Sequence, residues 1–317
     1  MFASRLALLS WLAVVALLPH SWSQAAPDGK ANTALRVCKQ GCPFKTVQAA
    51  LDKAEDGATI KIGEGIFRGD LEVVEDVVLV GSGEAATFLK GTGTRTVVLV
   101  KPARTVTISR LTITGGAGDD DSADGGGGGG IEVGKRATLH LDRTMVTGNT
   151  ADDDGGGILS LQRSRLELVR STVSDNTALS QGDGLYLMLN STLVATDSHF
   201  TGNQAEIGGG IEVGSWIVNR SSGVTLNGRS RISGNTASGV GGGVHLGGYL
   251  TLNDESLIEG NTAGKGGGIG SLAAFFDDDV FPLIEVNGDS SVSGNTPDDC
   301  YDQSNPLCDP VTGSAAD

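Results

Sequence analysis

Aromatic side chains are scarce in this chain: Phe, Trp and Tyr make up 4% of 317 residues. A core built on large rings is therefore excluded. Positive charge is also in short supply, with 23 Lys and Arg against 38 Asp and Glu and a net charge of -15. DNA and anionic membranes are bound through positive surface, so both are excluded as partners. Beyond the N-terminus there is no apolar run long enough to span a bilayer. A helical period is missing too: outside residues 46–54, no ten-residue window carries a 3.6-residue apolar stripe without glycine. What is abundant is glycine, 49 residues and about twice the usual share. Proline numbers only 8, so the composition is not that of a disordered low-complexity chain.

Residues 1–25 read as a signal peptide. Arg5 supplies the basic start, residues 6–18 are apolar apart from Ser10, and Ser23 and Ala25 are small residues suited to a cleavage site. Cleavage removes Arg5 and no acid, which takes the net charge from -15 to -16. Four cysteines follow, Cys38, Cys42, Cys300 and Cys308. An even count in an exported chain predicts disulfides, and four cysteines allow three pairings. The pairs sit at opposite ends of the sequence, which favours Cys38–Cys42 and Cys300–Cys308.

The strongest signal is internal repetition. An aliphatic or aromatic residue, two further residues and an Asn recur at Asn149, Asn176, Asn203, Asn235, Asn261 and Asn295, with steps of 27, 27, 32, 26 and 34. A Gly-rich run ending in an aliphatic residue keeps pace, at Ile131, Ile158, Leu185, Ile211, Val244 and Ile269. Between these marks the apolar period is two, as in Ala137-Thr-Leu139-His-Leu141. Such alternation bounded by Gly and Asn predicts short strands. A repeat this small cannot bury its own inner face, so successive repeats must stack. The expected fold is all-β, a right-handed parallel β-helix of eight or nine coils, about 40 Å long at ~4.8 Å per coil. The Asn is expected to take the left-handed bend at one corner and to stack in an amide ladder. The amphipathic stretch 46–54 is expected to form a helix that plugs the first coil. The expected organisation is a signal peptide (1–25), an N-terminal segment (26–43), the β-helix (44–296) and a C-terminal tail (297–317).

Two resemblances follow from these residues. The stretch Cys42-Pro-Phe-Lys-Thr-Val-Gln-Ala-Ala-Leu51, then Asp56-Gly-Ala-Thr-Ile-Lys-Ile62 and Gly65-Ile-Phe67, resembles the opening of pectin-lyase-fold proteins. The Gly-Gly-Gly-Ile and Phe-Thr-Gly-Asn203 marks resemble the repeats of polymorphic outer membrane proteins. Both imply a β-helix that is exported. The opening is shared by enzymes and non-enzymes, and the Asn-Thr-Asp and Gly-His-Gly motifs of the family's polygalacturonases have no intact counterpart here.

Three groups of residues are candidates for function. Asp121, Asp124, Asp152, Asp153, Asp154 and Asp183 lie in or just before Gly runs, on corners that the repeat stacks about 5 Å apart. Calcium, which takes six to eight oxygens in flexible geometry, would suit such a corner; a solvated acidic surface is the alternative. After each Gly run one residue points outward, giving the row Glu132, Leu159, Tyr186, Glu212 and His245. Glu212 and His245 fall on adjacent coils and are candidates for an acid–base pair, the alternative being chance surface neighbours. Trp216, Phe275 and Phe276 sit in two expansions of the repeat. With Tyr186 they are expected either to wall a sugar-binding groove or to cover the outward Leu and Tyr as a small satellite core. Apart from these groups, Asn190-Ser-Thr192 and Asn219-Arg-Ser221 are glycosylation sequons, which matter only in a eukaryotic host. The expected function is an exported binding or structural module that contacts polysaccharide or another extracellular surface. The alternative is a polysaccharide lyase or glycoside hydrolase acting on an acidic polymer.

Overall fold

Alternating residues that face one way along a strand stack into continuous columns when the strands repeat. The computed structural model describes residues 34–118, 127–214, 221–271, 282–302 and 308. Within them one coil runs as follows. The short strand Ile131–Val133 turns into the ten-residue strand Thr138–Thr147, which bends at Arg143 (φ 49°). Gly148 and Asn149 make the next corner, Thr150–Ala151 form a two-residue strand, and a glycine run returns the chain to Ile158–Ser160. Each element then pairs in parallel with its counterpart one coil on: Ile131 with Ile158, Leu139 with Leu166, Val146 with Val173 and Thr150 with Thr177.

Among the described residues this stacking yields three parallel sheets. One has nine three-residue strands, from Leu71–Val73 to Cys300–Asp302. A seventeen-stranded sheet bends around two walls, and a five-stranded sheet closes the corner before the glycine runs. The fold is a right-handed parallel β-helix, the hand that strand–crossover–strand connections take. Inward residues such as Leu139, Leu166, Leu193, Val224 and Leu250 are fully buried along its axis. Each contributes about 2 kcal/mol by leaving water.

The ends extend beyond the expected 44–296. Leu35–Val37 already pairs with Ile60–Ile62, and Cys300–Asp302 pairs with Ile269–Ser271. The plugging helix is shorter than residues 46–54: it covers Val47–Leu51, with the Thr46 hydroxyl accepting from the Ala49 N–H. It buries Val47, Ala50 and Leu51 at the first coil. Both local disulfides form, Cys38–Cys42 and Cys300–Cys308.

The recurring Asn residues form a continuous ladder. Asn149 Nδ2 donates to Asn176 Oδ1 at 3.0 Å, Asn176 to Asn203 at 3.0 Å, Asn203 to Asn235 at 2.9 Å, Asn235 to Asn261 at 3.0 Å and Asn261 to Asn295 at 2.9 Å. Asp299 Oδ1 ends the column by accepting from Asn295 Nδ2 at 2.9 Å. The expectation that Asn itself takes the left-handed bend is corrected. The positive φ belongs to the residue before it, Gly148, Asp175, Gly202, Gly234, Gly260 or Gly294. That division frees the Asn to keep its amide inside the coil.

The glycine run is tied to this ladder. A Cβ on Gly157 would stand 2.5 Å from Gly184 O and 2.8 Å from Asn176 Nδ2. Gly157→Ala is expected to cost about 1–3 kcal/mol through overpacking. A lowered urea midpoint would show it, and an unchanged midpoint would refute the close approach.

Candidate functional site

The outward row of the nine-stranded sheet is where the sequence candidates meet. Register places Glu132 beside Leu159, Leu159 beside Tyr186, Tyr186 beside Glu212 and Glu212 beside His245. An outward row on a solenoid is ordinarily wet. Here Leu159 is 0% exposed, Glu212 1% and Tyr186 2%. The glycine corners explain this, because each folds back over the outward residue of its own coil. A Cβ on Gly182 would lie 2.7 Å from Tyr186 Cβ, and one on Gly208 2.8 Å from Glu212 Oε2. Leu159, Leu161 and Tyr186 form a small second core with Met188 against it. The cover seen over the row is its own glycine corners; the two expansions expected to cover it as a satellite core, with Trp216, Phe275 and Phe276, lie outside the described residues.

Glu212 and His245 pair, and they do so in the interior. His245 Nδ1 is 2.9 Å from Glu212 Oε1 and 2.8 Å from Oε2. The imidazole thus engages both carboxylate oxygens through Nδ1, while His245 Nε2 is buried without a hydrogen-bond partner. Burial pushes the Glu212 carboxyl above its usual range, while His245 draws it back. The expectation of a chance surface pair is thereby corrected: one strand register and one glycine cover bring the two together.

Asp154 belongs to the same strip. Its carboxyl is pushed up to about 7 by burial first, then by the charges of Asp153 and Glu212. Asp154 Oδ1 is buried without a hydrogen-bond partner. Asp152 is exposed and Asp153 half-buried. Asp183 does not share their column, since Asp154 is bridged to Gln181. Asp183 instead turns inward, accepts from the Ala178 N–H and is pushed up to about 9 by burial. Among the described residues no three His, Cys, Asp or Glu side chains converge in a way that could hold a metal ion. Asp121, Asp124, Trp216, Phe275 and Phe276 lie outside the described residues.

Among the described residues the two other histidines sit half-buried on the long sheet. His140 Nδ1 pairs with Glu167 Oε2 at 2.8 Å, and burial with Arg231 nearby lowers the His199 pKa. Neither adjoins the strip.

The family description "Right handed beta helix region" matches residues 93–230. Among solved structures, a pectin methylesterase from Aspergillus niger aligns over 90% of this chain and 95% of its own, with TM-score 0.50 and 11% identity. A pectin methylesterase from Erwinia chrysanthemi aligns over 80% and 94%, with TM-score 0.45 and 12% identity. An alginate lyase from a Paenibacillus species aligns over 83% and 97%, with TM-score 0.42 and 12% identity. At such identities the likeness is one of fold. No curated protein matches the sequence.

Proposed function

We propose that the protein is an exported β-helix that acts as a binding or structural module and contacts polysaccharide, with His245 at the partly exposed end of the covered strip as the point of contact. The observation that carries this reading is His245, partly exposed, whose Nδ1 is held by the Glu212 carboxylate at 2.8–2.9 Å and whose Nε2 has no hydrogen-bond partner. A polar atom removed from water without a partner costs about 1–3 kcal/mol. That nitrogen, at the partly exposed end of the strip, suits a polymer that brings its own hydroxyls. Two disulfides support an oxidising compartment. The fold shared with a pectin methylesterase and the repeats resembling polymorphic outer membrane proteins support an extracellular setting.

A catalytic reading has one observation in its favour. An imidazole held at Nδ1 by a carboxylate and free at Nε2 is arranged as a general base. A glycan array and a lyase screen, run with and without calcium, separate the readings. Retention without turnover, lost in His245→Ala, is expected for the binding module. Unsaturated product absorbing in the ultraviolet would establish the enzyme, and silence in both assays would leave a structural rod. Calcium is included because Asp121, Asp124, Asp152 and Asp153 remain our proposed acidic corner for it.

A further inference from the structure

Positive charge, scarce in the chain as a whole, gathers on one wall. Residues 101–110, 134–143 and 161–170 take the same corner and the same strand on three successive coils, Thr105 and Arg165 both pairing with Thr138. These segments carry nine of the 23 Lys and Arg, against two acids, Asp142 and Glu167. Five of the nine are engaged. Lys101 pairs with Glu72 at 2.6 Å, Arg104 lies 3.5–3.9 Å from Asp56, Glu75 and Asp76, and Arg143 and Arg170 share Asp142 at 3.0 and 2.9 Å. Arg110 donates to Ser82 O, and Glu167 is held by His140. Lys135, Arg136, Arg163 and Arg165 remain. All four are exposed, and none has an ion pair or side-chain hydrogen bond among the described residues. Glu132, on the strand before this corner, is buried. The matching corner one coil on, residues 188–192, bears no charge.

Neither backbone nor charge favours arginine at this corner. Arg136 and Arg163 hold φ of 62° and 64°, the left-handed region that Gly and Asn enter most easily, and Asn190 takes that place on the next coil with φ 62°. The Arg136 N–H donates to Gln162 O and the Arg163 N–H to Leu189 O, which sets the backbones of the two arginines one coil step of ~4.8 Å apart. Like charges side by side without a counter-charge repel. We infer that this corner binds a sulfated polysaccharide chain, at a surface separate from His245 and independent of it. A guanidinium presents its N–H donors in a planar fork that matches the oxygens of an anionic group. Thr138 and Thr192 flank Arg165 on the adjacent strands and offer hydroxyls to the sugar.

Charge density selects sulfate over carboxylate. Four cations on two coil corners amount to about two per step of ~4.8 Å, and an extended sugar residue spans about one such step. A uronate chain brings one negative charge per residue, whereas a chain sulfated on two hydroxyls brings two. Breadth selects a single chain over a membrane or a DNA duplex. Either of those overhangs the corner and meets the rest of a protein with net charge -15, within the ~8 Å over which charge acts at physiological salt. An extended chain along the axis stays on the cationic corner.

The test is calorimetric titration of the full chain at neutral pH with dextran sulfate, oligogalacturonate and unmodified dextran of matched length, and with a DNA duplex. Dextran sulfate is expected to bind at least about tenfold more tightly than oligogalacturonate or DNA. Its affinity should fall as salt rises, and unmodified dextran should not bind. Arg136→Asn combined with Arg163→Asn matches the Asn of the next coil. The pair should lower the dextran sulfate affinity about tenfold, ~threefold per cation, at an unchanged or raised melting temperature. Arg165→Thr, which copies Thr138 and Thr192, should lower it about threefold. Arg68→Asn removes an exposed cation elsewhere and should change nothing. Equal or tighter binding of oligogalacturonate or unmodified dextran overturns the selection for sulfate. Equal or tighter binding of DNA overturns it in favour of nucleic acid. Dextran sulfate binding that survives the substitutions at 136, 163 and 165 overturns the assignment to this corner, and its absence overturns the proposal outright. His245→Ala should leave dextran sulfate binding intact, so these failures leave the reading of His245 standing.

Discussion

Asn203→Ala is expected to unfold the rod roughly 10 °C below the parent. Asn203 lies mid-column and serves four groups at once. Its Oδ1 accepts from the Asn176 backbone N–H at 3.1 Å and from Asn176 Nδ2 at 3.0 Å. Its Nδ2 donates to Val173 O at 3.1 Å and to Asn235 Oδ1 at 2.9 Å. Asn203 is 1% exposed, and Asn176 and Asn235 are 0% exposed, so water cannot replace the lost partners without opening the corner. Orphaning several buried groups at about 1 kcal/mol or more each gives a cost of about 3–5 kcal/mol. The measurement is a thermal melt followed by circular dichroism, with exposed Lys135→Ala as the control that should not move. A melt unchanged in Asn203→Ala would mean that the corner is held by its backbone alone. Asn295→Ala should cost less, because at 8% exposure it stands at the wetter end of the column.

The ladder also shows what could be read from the sequence. Asn and Gly at fixed steps are visible because only a few residue types meet their physical demands, so repetition at those positions exposes coil, corner and core together. Alternation in Leu139 and Leu141 marks the inner wall for the same reason. The second bend is different. Arg110, Arg143 and Arg170 take φ of 59°, 49° and 48°, a conformation that arginine does not advertise. The bend is fixed from outside the residue, by a stack in which the Thr144 N–H donates to Ser171 Oγ, the Ser171 N–H to Ser198 Oγ and the Ser198 N–H to Ser230 Oγ. Period two also placed Glu212, His245 and Tyr186 on the outer side correctly. It could not show that they are covered, because the cover is backbone: glycines at 155, 182 and 208 close over the row with no side chain to announce it.

Asp183 departs from the acidic corners with which its place in a glycine run groups it. Grouped with the acidic corners as a candidate calcium ligand, it instead stands in a column that register aligns with Gly129, Gly156, Gly209, Gly242 and Gly267. In those five coils a Cβ would fall 2.2–2.6 Å from the carbonyl of the Thr at 150, 177, 236, 262 or 296. Asp183 escapes that contact where the repeat itself is irregular. The next coil has one residue fewer between Asn203 and Ile211 than this coil has between Asn176 and Leu185, and its strand Gln204–Ile207 shifts register against Thr236–Val240.

The consequence is a strong dependence of stability on pH. Burial raises the Asp183 carboxyl to about 9 from an ordinary 3.8, against the pull of the Ala178 N–H, and Oδ2 has no hydrogen-bond partner. Between about pH 4 and about pH 9 the folded chain therefore holds a proton that the unfolded chain releases. Stability from this group is complete below about pH 4, declines by about 1.4 kcal/mol per pH unit above it, and is lost once pH passes about 9. At pH 7 the loss already amounts to about 4 kcal/mol. Asp183→Asn keeps the shape of the neutral acid and its acceptor for the Ala178 N–H while removing the ionisation. It is expected to be more stable than the parent at pH 7 by a few kcal/mol, with the difference widening toward pH 9 and vanishing near pH 4. Asp183→Gly, which restores the residue of the other coils, should show the same trend. Asp154 and Glu212 are raised as well and act with the same sign, so the variants should retain a shallower slope. Urea midpoints at acidic, neutral and alkaline pH for parent and variants measure the effect. Parallel slopes in parent and Asp183→Asn would show that the carboxyl is solvated in the folded protein, and the buried neutral acid would have to be abandoned.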